Sequence, residues 1–311
     1  MKFAVFGTGG VGGYFGGRLA HAGHDVTFIA RGKHLASIQE SGLRVDSIGG
    51  DFVVKPAEAT DSPQSVGEVD CVIVTVKAWQ LTESIDRLER LVGGHTMILP
   101  LLNGIEHIDL LVDTFGEERV LGGYCRISSF VADPGHITHV NAKPFISFGE
   151  LDHHESQRVG KLNEIFSALD GIDVEVPADI HVAMWEKFIL ICSTSGVGAV
   201  TRQPFGIIRK VPESRAMLKE SLEETVRVGR AKNVNLPENT VDMVMKRIDG
   251  FAESMVASMQ KDIMEGRPSE LESQTGAVVR MGRALGVPTP THEFIYASLL
   301  PMELQARSKK V

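Results

Sequence analysis

Phe3-Ala4-Val5-Phe6-Gly7-Thr8-Gly9-Gly10-Val11-Gly12, then Tyr14 to Ala22, then Val26-Thr27-Phe28-Ile29-Ala30-Arg31: this stretch decides the fold. The apolar run reads as a buried strand, Tyr14 to Ala22 as a helix, and Val26 to Ala30 as a second strand. The glycines between let the backbone turn sharply and come close to a pyrophosphate, whose charge then sits at the positive end of the helix. A lone GxGxxG is weak evidence, but strand, glycine loop, helix and second strand are the context that gives it meaning. Gly7, Thr8, Gly9, Gly10, Val11 and Gly12 are therefore expected to hold a dinucleotide. The residue nineteen places after Gly12 is Arg31. An acid there would bind a ribose 2′-hydroxyl, whereas a cation suits a 2′-phosphate. Asp25 precedes the second strand and is poorly placed to be that acid. The expected cofactor is NADPH/NADP.

Working outward, Leu43-Arg44-Val45 and Phe52-Val53-Val54 flank Gly49-Gly50 and predict a hairpin. Cys71 to Val76 is a near-continuous β-branched run, the pattern of a strand buried on both faces. A helix from Trp79 to Leu91 and a strand at Thr96 to Pro100 are expected next. Val120-Leu121 begins a further strand, and Gly135 to Val140 with Phe145 to Phe148 reads as an antiparallel pair. From about Asp179 strand signals stop and helical spacing takes over, with one stripe at Met217, Leu218, Leu222 and Val226 and another at Met255, Met259 and Ile263. Both stripes are read as core packing. The fold class predicted is α/β, a doubly wound Rossmann sheet in residues 1–177 followed by an all-α domain in 178–311, with Pro177 as the linker. The tail from Arg307 to Val311 is expected to be frayed.

Composition sets the outer limits. The 311 residues exceed the usual size of one core, and 43% hydrophobic with 23% charged residues is ordinary for a globular protein. A formal net charge of −8, without a long basic run, argues against nucleic acid or an anionic membrane surface as partner. No apolar run reaches the ~18 residues needed to span a bilayer. The N-terminus starts on a strand without a secretory cleavage pattern, and Cys71, Cys125 and Cys192 lie far apart in apolar segments. These features predict a cytoplasmic protein with reduced, buried thiols. His136, His139, His153 and His154 lack the Cys or carboxylate companions of a metal site, and no GxSxG elbow supports a serine hydrolase.

Met184-Trp185-Glu186-Lys187-Phe188-Ile189-Leu190-Ile191-Cys192 is apolar nearly all round and predicts a buried helix. Burial disfavours the charged form of Lys187, and an amine tuned toward neutrality suits a general acid for carbonyl reduction. Its alternatives are a lysine paired with a carboxylate, or one reaching out at a helix end. Lys77 and Asn103 follow the third and fourth buried strands, at the carboxyl edge of the sheet where such folds bind ligands. Taken alone, they read as a solvated lysine and a turn-capping asparagine.

Together these segments resemble the ketopantoate reductase (2-dehydropantoate 2-reductase) family, within the 6-phosphogluconate-dehydrogenase-like group. The resemblance spans essentially the whole chain. It rests on Gly7-x-Gly9-x-x-Gly12, Val74-Thr75-Val76-Lys77-Ala78-Trp79-Gln80, Asn103-Gly104, Trp185-x-Lys187, and Ser258 with Ser269-Glu270-Leu271-Glu272. It implies NADPH-dependent reduction of a small 2-keto acid, with Lys187 matching the catalytic lysine and Glu270 the acid associated with it. It further implies that Lys77 and Asn103 lie near nicotinamide and substrate, and that Ser258 meets the substrate carboxylate. A homodimer is also expected. One departure stands out: where many members carry asparagines one and two turns after the lysine, this chain has Ile191 and Ser195. Losing an amide donor changes which substrates a site favours. The rival expectations are therefore a related enzyme acting on a different 2-keto or 2-hydroxy acid, and a nucleotide-sensing protein that binds NADPH without turnover.

Overall fold

The computed structural model describes residues 1–308, and these fall into two units. The first comprises Met1–Leu102 and His107–Ile180; the second comprises Asn103–Glu106 and the residues from His181 onward. The short Asn103–Glu106 segment thus groups with the helical half although it lies within residues 1–177.

The first unit contains strands β1 (Lys2–Phe6), β2 (Asp25–Ile29), β3 (Leu43–Ser47), β4 (Phe52–Val54), β5 (Glu58–Thr60), β6 (Cys71–Val74), β7 (Met97–Pro100), β8 (Leu121–Asp133), β9 (His136–Glu150) and β10 (Asp173–Glu175). Its helices are α1 (Gly10–His21), α2 (Gly32–Ser41), α3 (Ala78–Leu81), α4 (Ile85–Leu88), α5 (His107–Phe115) and α6 (Gln157–Ser167). A five-stranded sheet runs β5-β2-β1-β6-β7, every neighbouring pair parallel. β1 and β6 are wholly buried at their shared centre, as their β-branched and aromatic composition requires. Strand order reverses between β1 and β6, which makes their carboxyl ends the topological switch point. A second sheet, β10-β9-β3-β4 with β8 on β9, packs against α1, so this helix contacts strands of both sheets. Phe3, Val5, Phe15, Leu19, Phe28, Val45, Ile137 and Phe148 belong to one continuous core.

Three local expectations need comment. The helix expected from Trp79 to Leu91 is instead α3, a 3₁₀ turn at Thr82–Ser84, α4 and another 3₁₀ turn at Glu89–Leu91. Gly135–Val140 and Phe145–Phe148 are not partners: His136–Val140 and Phe145–Phe148 are parts of one strand, β9, which pairs antiparallel with β8, and Gly135 lies in the turn before it. Asn141, at φ 71°, starts an excursion through Pro144 that sits opposite the single residue Ile127, so a bulge mimics a turn in sequence. The hairpin β3–β4 forms as expected, with Leu43 opposite Val54 and Val45 opposite Phe52.

The second unit is helical, with α7 (Ile180–Thr201), α8 (Phe205–Ile208), α9 (Pro212–Ala231), α10 (Thr240–Asp249), α11 (Ser258–Met264), α12 (Thr275–Leu285) and α13 (Pro290–Ser308). α7 is buried along most of its length, and its Trp185 lies where a side chain at Gly229 of α9 would have to go. Leu218, Leu222 and Val226 are core residues as expected, whereas Met217, expected in the same stripe, is only half-buried. Met259 and Ile263 are too, but Met255 precedes α11 in a turn and is exposed. Of the tail expected to fray, Lys309 to Val311 lie outside the described residues. Arg307 is held in α13, donating to Ser269 O at 3.0 Å and pairing with Glu303 at 2.7 Å.

Candidate active site

At the switch point each glycine has a separate task. Gly7 takes φ 108°, a conformation side chains rarely adopt, and its carbonyl accepts the Thr75 hydroxyl at 2.6 Å. Thr8 is buried and sends both its N–H (3.2 Å) and its hydroxyl (3.1 Å) to Ile29 O, tying the loop to the end of β2. A Cβ at Gly12 would run into Gly7 O and Thr75 Oγ1, and one at Gly10 into Ser129 O; these two let α1 pack closely. Gly9 differs: nothing lies within 4 Å of where its Cβ would be. It is the N-cap of α1, offers no side-chain cap, and the first turn carries no acid. Half-buried Gly10 and Val11 follow it. A helix N-terminus beside an open space that only glycine leaves clear fits the pyrophosphate of a dinucleotide. A nicotinamide dinucleotide held there would supply hydride-transfer chemistry.

Arg31 is exposed and caps α2, two residues past the end of β2. Lys77 begins α3 after β6; it is exposed, with Nζ 5.7 Å from the Trp79 ring, and its N–H is capped by Gln80 Oε1 at 3.2 Å.

In the second unit Lys187, Ile191 and Ser195 follow at four-residue spacing along one face of α7. Lys187 and Ile191 are half-buried, whereas Ser195 is 2% exposed. Lys187 therefore sits at a partly open position on a helix flanked by the fully buried Trp185, Phe188 and Ile189. Glu270 is 4% exposed and accepts from Asn103 Nδ2 at 2.9 Å and from Gln274 Nε2 at 3.3 Å. Asn103 and Glu270, 167 positions apart in sequence, thus meet within the second unit. Ser258 is exposed at the first position of α11, and no hydrogen bond joins it to Asn103 or Glu270 among the described residues.

The turn that carries Glu270 is itself anchored. Buried Glu303 of α13 accepts the Ser269 N–H at 3.1 and 3.0 Å and the Ser269 hydroxyl at 2.5 Å. Sequence reasoning did not single out Glu303 or Gln274, because an acid or amide in a helical segment gives no local sign of burial. The histidines spread apart: His139 bonds Ser47 Oγ and Ala142 O, His136 lies 2.9 Å from Asp46, and His153 and His154 pair with Asp179 and Asp152. No group of three or more metal-ligating side chains occurs among the described residues. Cys71, Cys125 and Cys192 are buried and not disulfide-bonded, and burial pushes the Cys71 and Cys192 thiols up from their ordinary value. No described helix is long and apolar enough to cross a membrane.

A parallel sheet with a glycine loop at its switch point, joined to a helical unit, defines the class as a dinucleotide-dependent oxidoreductase fold. Comparison with known proteins narrows it. Residues 3–153 match the family described as ketopantoate reductase PanE/ApbA, and residues 179–303 match the C-terminal part of the same family. The chain is 31% identical to an uncharacterized oxidoreductase, YkpB, of Bacillus subtilis over 98% of this chain and 100% of that protein. It is 30% identical to a 2-dehydropantoate 2-reductase of Mesorhizobium japonicum, covering 96% of each. A crystal structure of a PanE/ApbA family ketopantoate reductase from Ralstonia eutropha JMP134 superimposes with TM-score 0.88 at 30% identity, covering 99% of this chain and 100% of that one. The chain belongs to the ketopantoate reductase family and is an oxidoreductase of that family.

Proposed function

We propose that the protein reduces a 2-keto acid with NADPH, and that the substrate is ketopantoate, giving pantoate for pantothenate biosynthesis. The observation that carries this reading is the Glu270–Asn103 hydrogen bond in the same unit as the half-buried Lys187 of α7. Lys187 donates the proton to the developing alkoxide and stabilises its charge beforehand. Glu270, an acceptor for two amides, orients Asn103 toward its task. Gly9, Gly10 and Val11 hold the pyrophosphate, Arg31 the 2′-phosphate, Lys77 and Asn103 the reacting end of the cofactor and substrate, and Ser258 the substrate carboxylate. The protein acts in the cytoplasm as a homodimer; the more than half-exposed Phe294 and Leu304 of α13 favour an apolar self-association.

A second reading is favoured by Ile191 and Ser195: the same chemistry on a different 2-keto acid, or the reverse oxidation of a 2-hydroxy acid. Ile191 cannot hydrogen-bond, and Ser195 is buried. A panel of 2-keto acids, followed by loss of nicotinamide absorbance with NADPH and with NADH, separates these. Ketopantoate with NADPH should give the highest kcat/KM. A different keto acid at the top would support the second reading, and tight NADPH binding without turnover of any substrate would make the protein a sensor.

A further inference from the structure

The carboxyl edge of the parallel sheet gathers two guanidinium groups, only one of which sequence reading identified. Ala30 N–H donates to Thr60 O at 3.1 Å, which sets the end of β5 beside the end of β2, with Asp61 and Arg31 the residues that follow this bonded pair on the two segments. Arg87, half-buried on α4, reaches this corner from the other side. Its Nη2 donates to the Asp61 carbonyl at 2.6 Å, and its guanidinium lies 5.8 Å from the ring of Phe6, the last residue of β1. Arg31 is exposed and makes no side-chain hydrogen bond or ion pair among the described residues.

The two cations feel one another. Burial first, and then the positive field of Arg31, hold the Arg87 guanidinium below its ordinary value, with the Asp61 carboxylate partly offsetting both. Like charges brought together at the rim of a ligand edge are unfavourable until an anion joins them, and a dianionic phosphate presents oxygens to both planar forks.

We propose that Arg87 is a second specificity determinant of the cofactor site, closing with Arg31 on the 2′-phosphate of an NADP-type dinucleotide. This rests on the reading of NADP as the cofactor. Its alternative is a purely structural arginine that ties α4 to the Asp61 carbonyl.

Calorimetric titration of the full chain with adenosine 2′,5′-bisphosphate and with AMP decides between them, because the pair differs by the 2′-phosphate alone. The wild type should prefer the bisphosphate. Arg87→Gln keeps an N–H₂ donor for Asp61 O but loses the charge. It should weaken bisphosphate binding by about 10- to 100-fold, the effect of one charge-assisted hydrogen bond, and change AMP binding little. Arg87→Lys should recover part of the loss. Wild-type bisphosphate affinity in Arg87→Gln, or equal losses for both nucleotides, would overturn the role of Arg87 and leave the NADP reading standing. Equal affinity of the wild type for AMP and bisphosphate would overturn the NADP reading and this inference together. Should Arg87→Gln not fold, Arg87→Lys carries the test: it keeps the charge but not the fork, so unchanged bisphosphate affinity there would contradict the inference.

Discussion

Glu270 is an acceptor serving two amide donors, Asn103 Nδ2 and Gln274 Nε2, in surroundings that leave it 4% exposed. Glu270→Gln would turn one of its oxygens into a donor facing another donor. The variant should lose about 10-fold or more in kcat while dinucleotide affinity, measured by fluorescence titration, stays near wild type. Gln274 adds a second point at the same place, because its Oε1 is buried without a hydrogen-bond partner among the described residues. The amide cannot be flipped to satisfy it, since that would set an oxygen against the Glu270 carboxylate. At this scale Lys187, Glu270, Asn103 and the glycines could be put forward as candidates from the sequence because each falls in a short motif, and of these the structure brings Asn103 and Glu270 together. Arg87, Gln274 and Glu303 could not be: their roles depend on partners 26, 4 and 34 residues away, and nothing adjacent in sequence marks them.

Elements make different demands on the same residue type, and α1 shows this most clearly. A Cβ at Gly12 would overlap Gly7 O and Thr75 Oγ1, whereas one at Gly9 meets nothing within 4 Å. Gly12→Ala should therefore destabilise the fold by roughly 1–3 kcal/mol, seen as a lower urea midpoint. Gly9→Ala should leave that midpoint close to wild type yet weaken dinucleotide binding, because the methyl fills the open space before α1. The turn before α12 depends on α13 in a similar way. Glu303→Ala leaves the buried Ser269 N–H and hydroxyl without their acceptor and should cost ~1–3 kcal/mol, together with a fall in kcat as Glu270 loses its fixed position. Element boundaries were less legible than element types. Leu81, Ser84, Leu88 and Leu91 are buried at helical spacing, so periodicity alone reads one helix where the chain alternates α and 3₁₀ turns. β5 went unnoticed because Glu58-Ala59-Thr60 is a short, polar edge strand whose existence depends on β2.

The stability of the whole molecule should fall steeply in acid. Burial raises the Glu224 carboxyl, but hydrogen bonds from His292 and from the Thr291 and His292 N–H groups outweigh it and leave the group below its ordinary 4.5. Glu150 behaves alike: burial raises it, and bonds from Arg158 and Ser156 bring it below 4.5. A carboxyl lowered by folding stabilises the native state above its unfolded value, and that stability is lost as pH falls through the lower folded value. The melting temperature should thus hold from neutrality to about 4.5 and drop beyond it. Glu224→Gln should give a lower but flatter profile in that acid range; an unchanged slope would remove Glu224 from the account. At the same scale, the α/β and helical halves were legible because buried β-branched strands and long apolar helices differ in period. The second sheet was not, since β3, β8, β9 and β10 are assembled across more than a hundred residues.

The central claim is that the Lys187 ammonium protonates the alkoxide formed from a 2-keto acid. Turnover of Lys187→Ala with ketopantoate and NADPH, measured beside its NADPH dissociation constant, tests it most directly. The account predicts a fall in kcat of roughly 10²- to 10⁴-fold with cofactor affinity nearly unchanged. Turnover within a few-fold of wild type would contradict it.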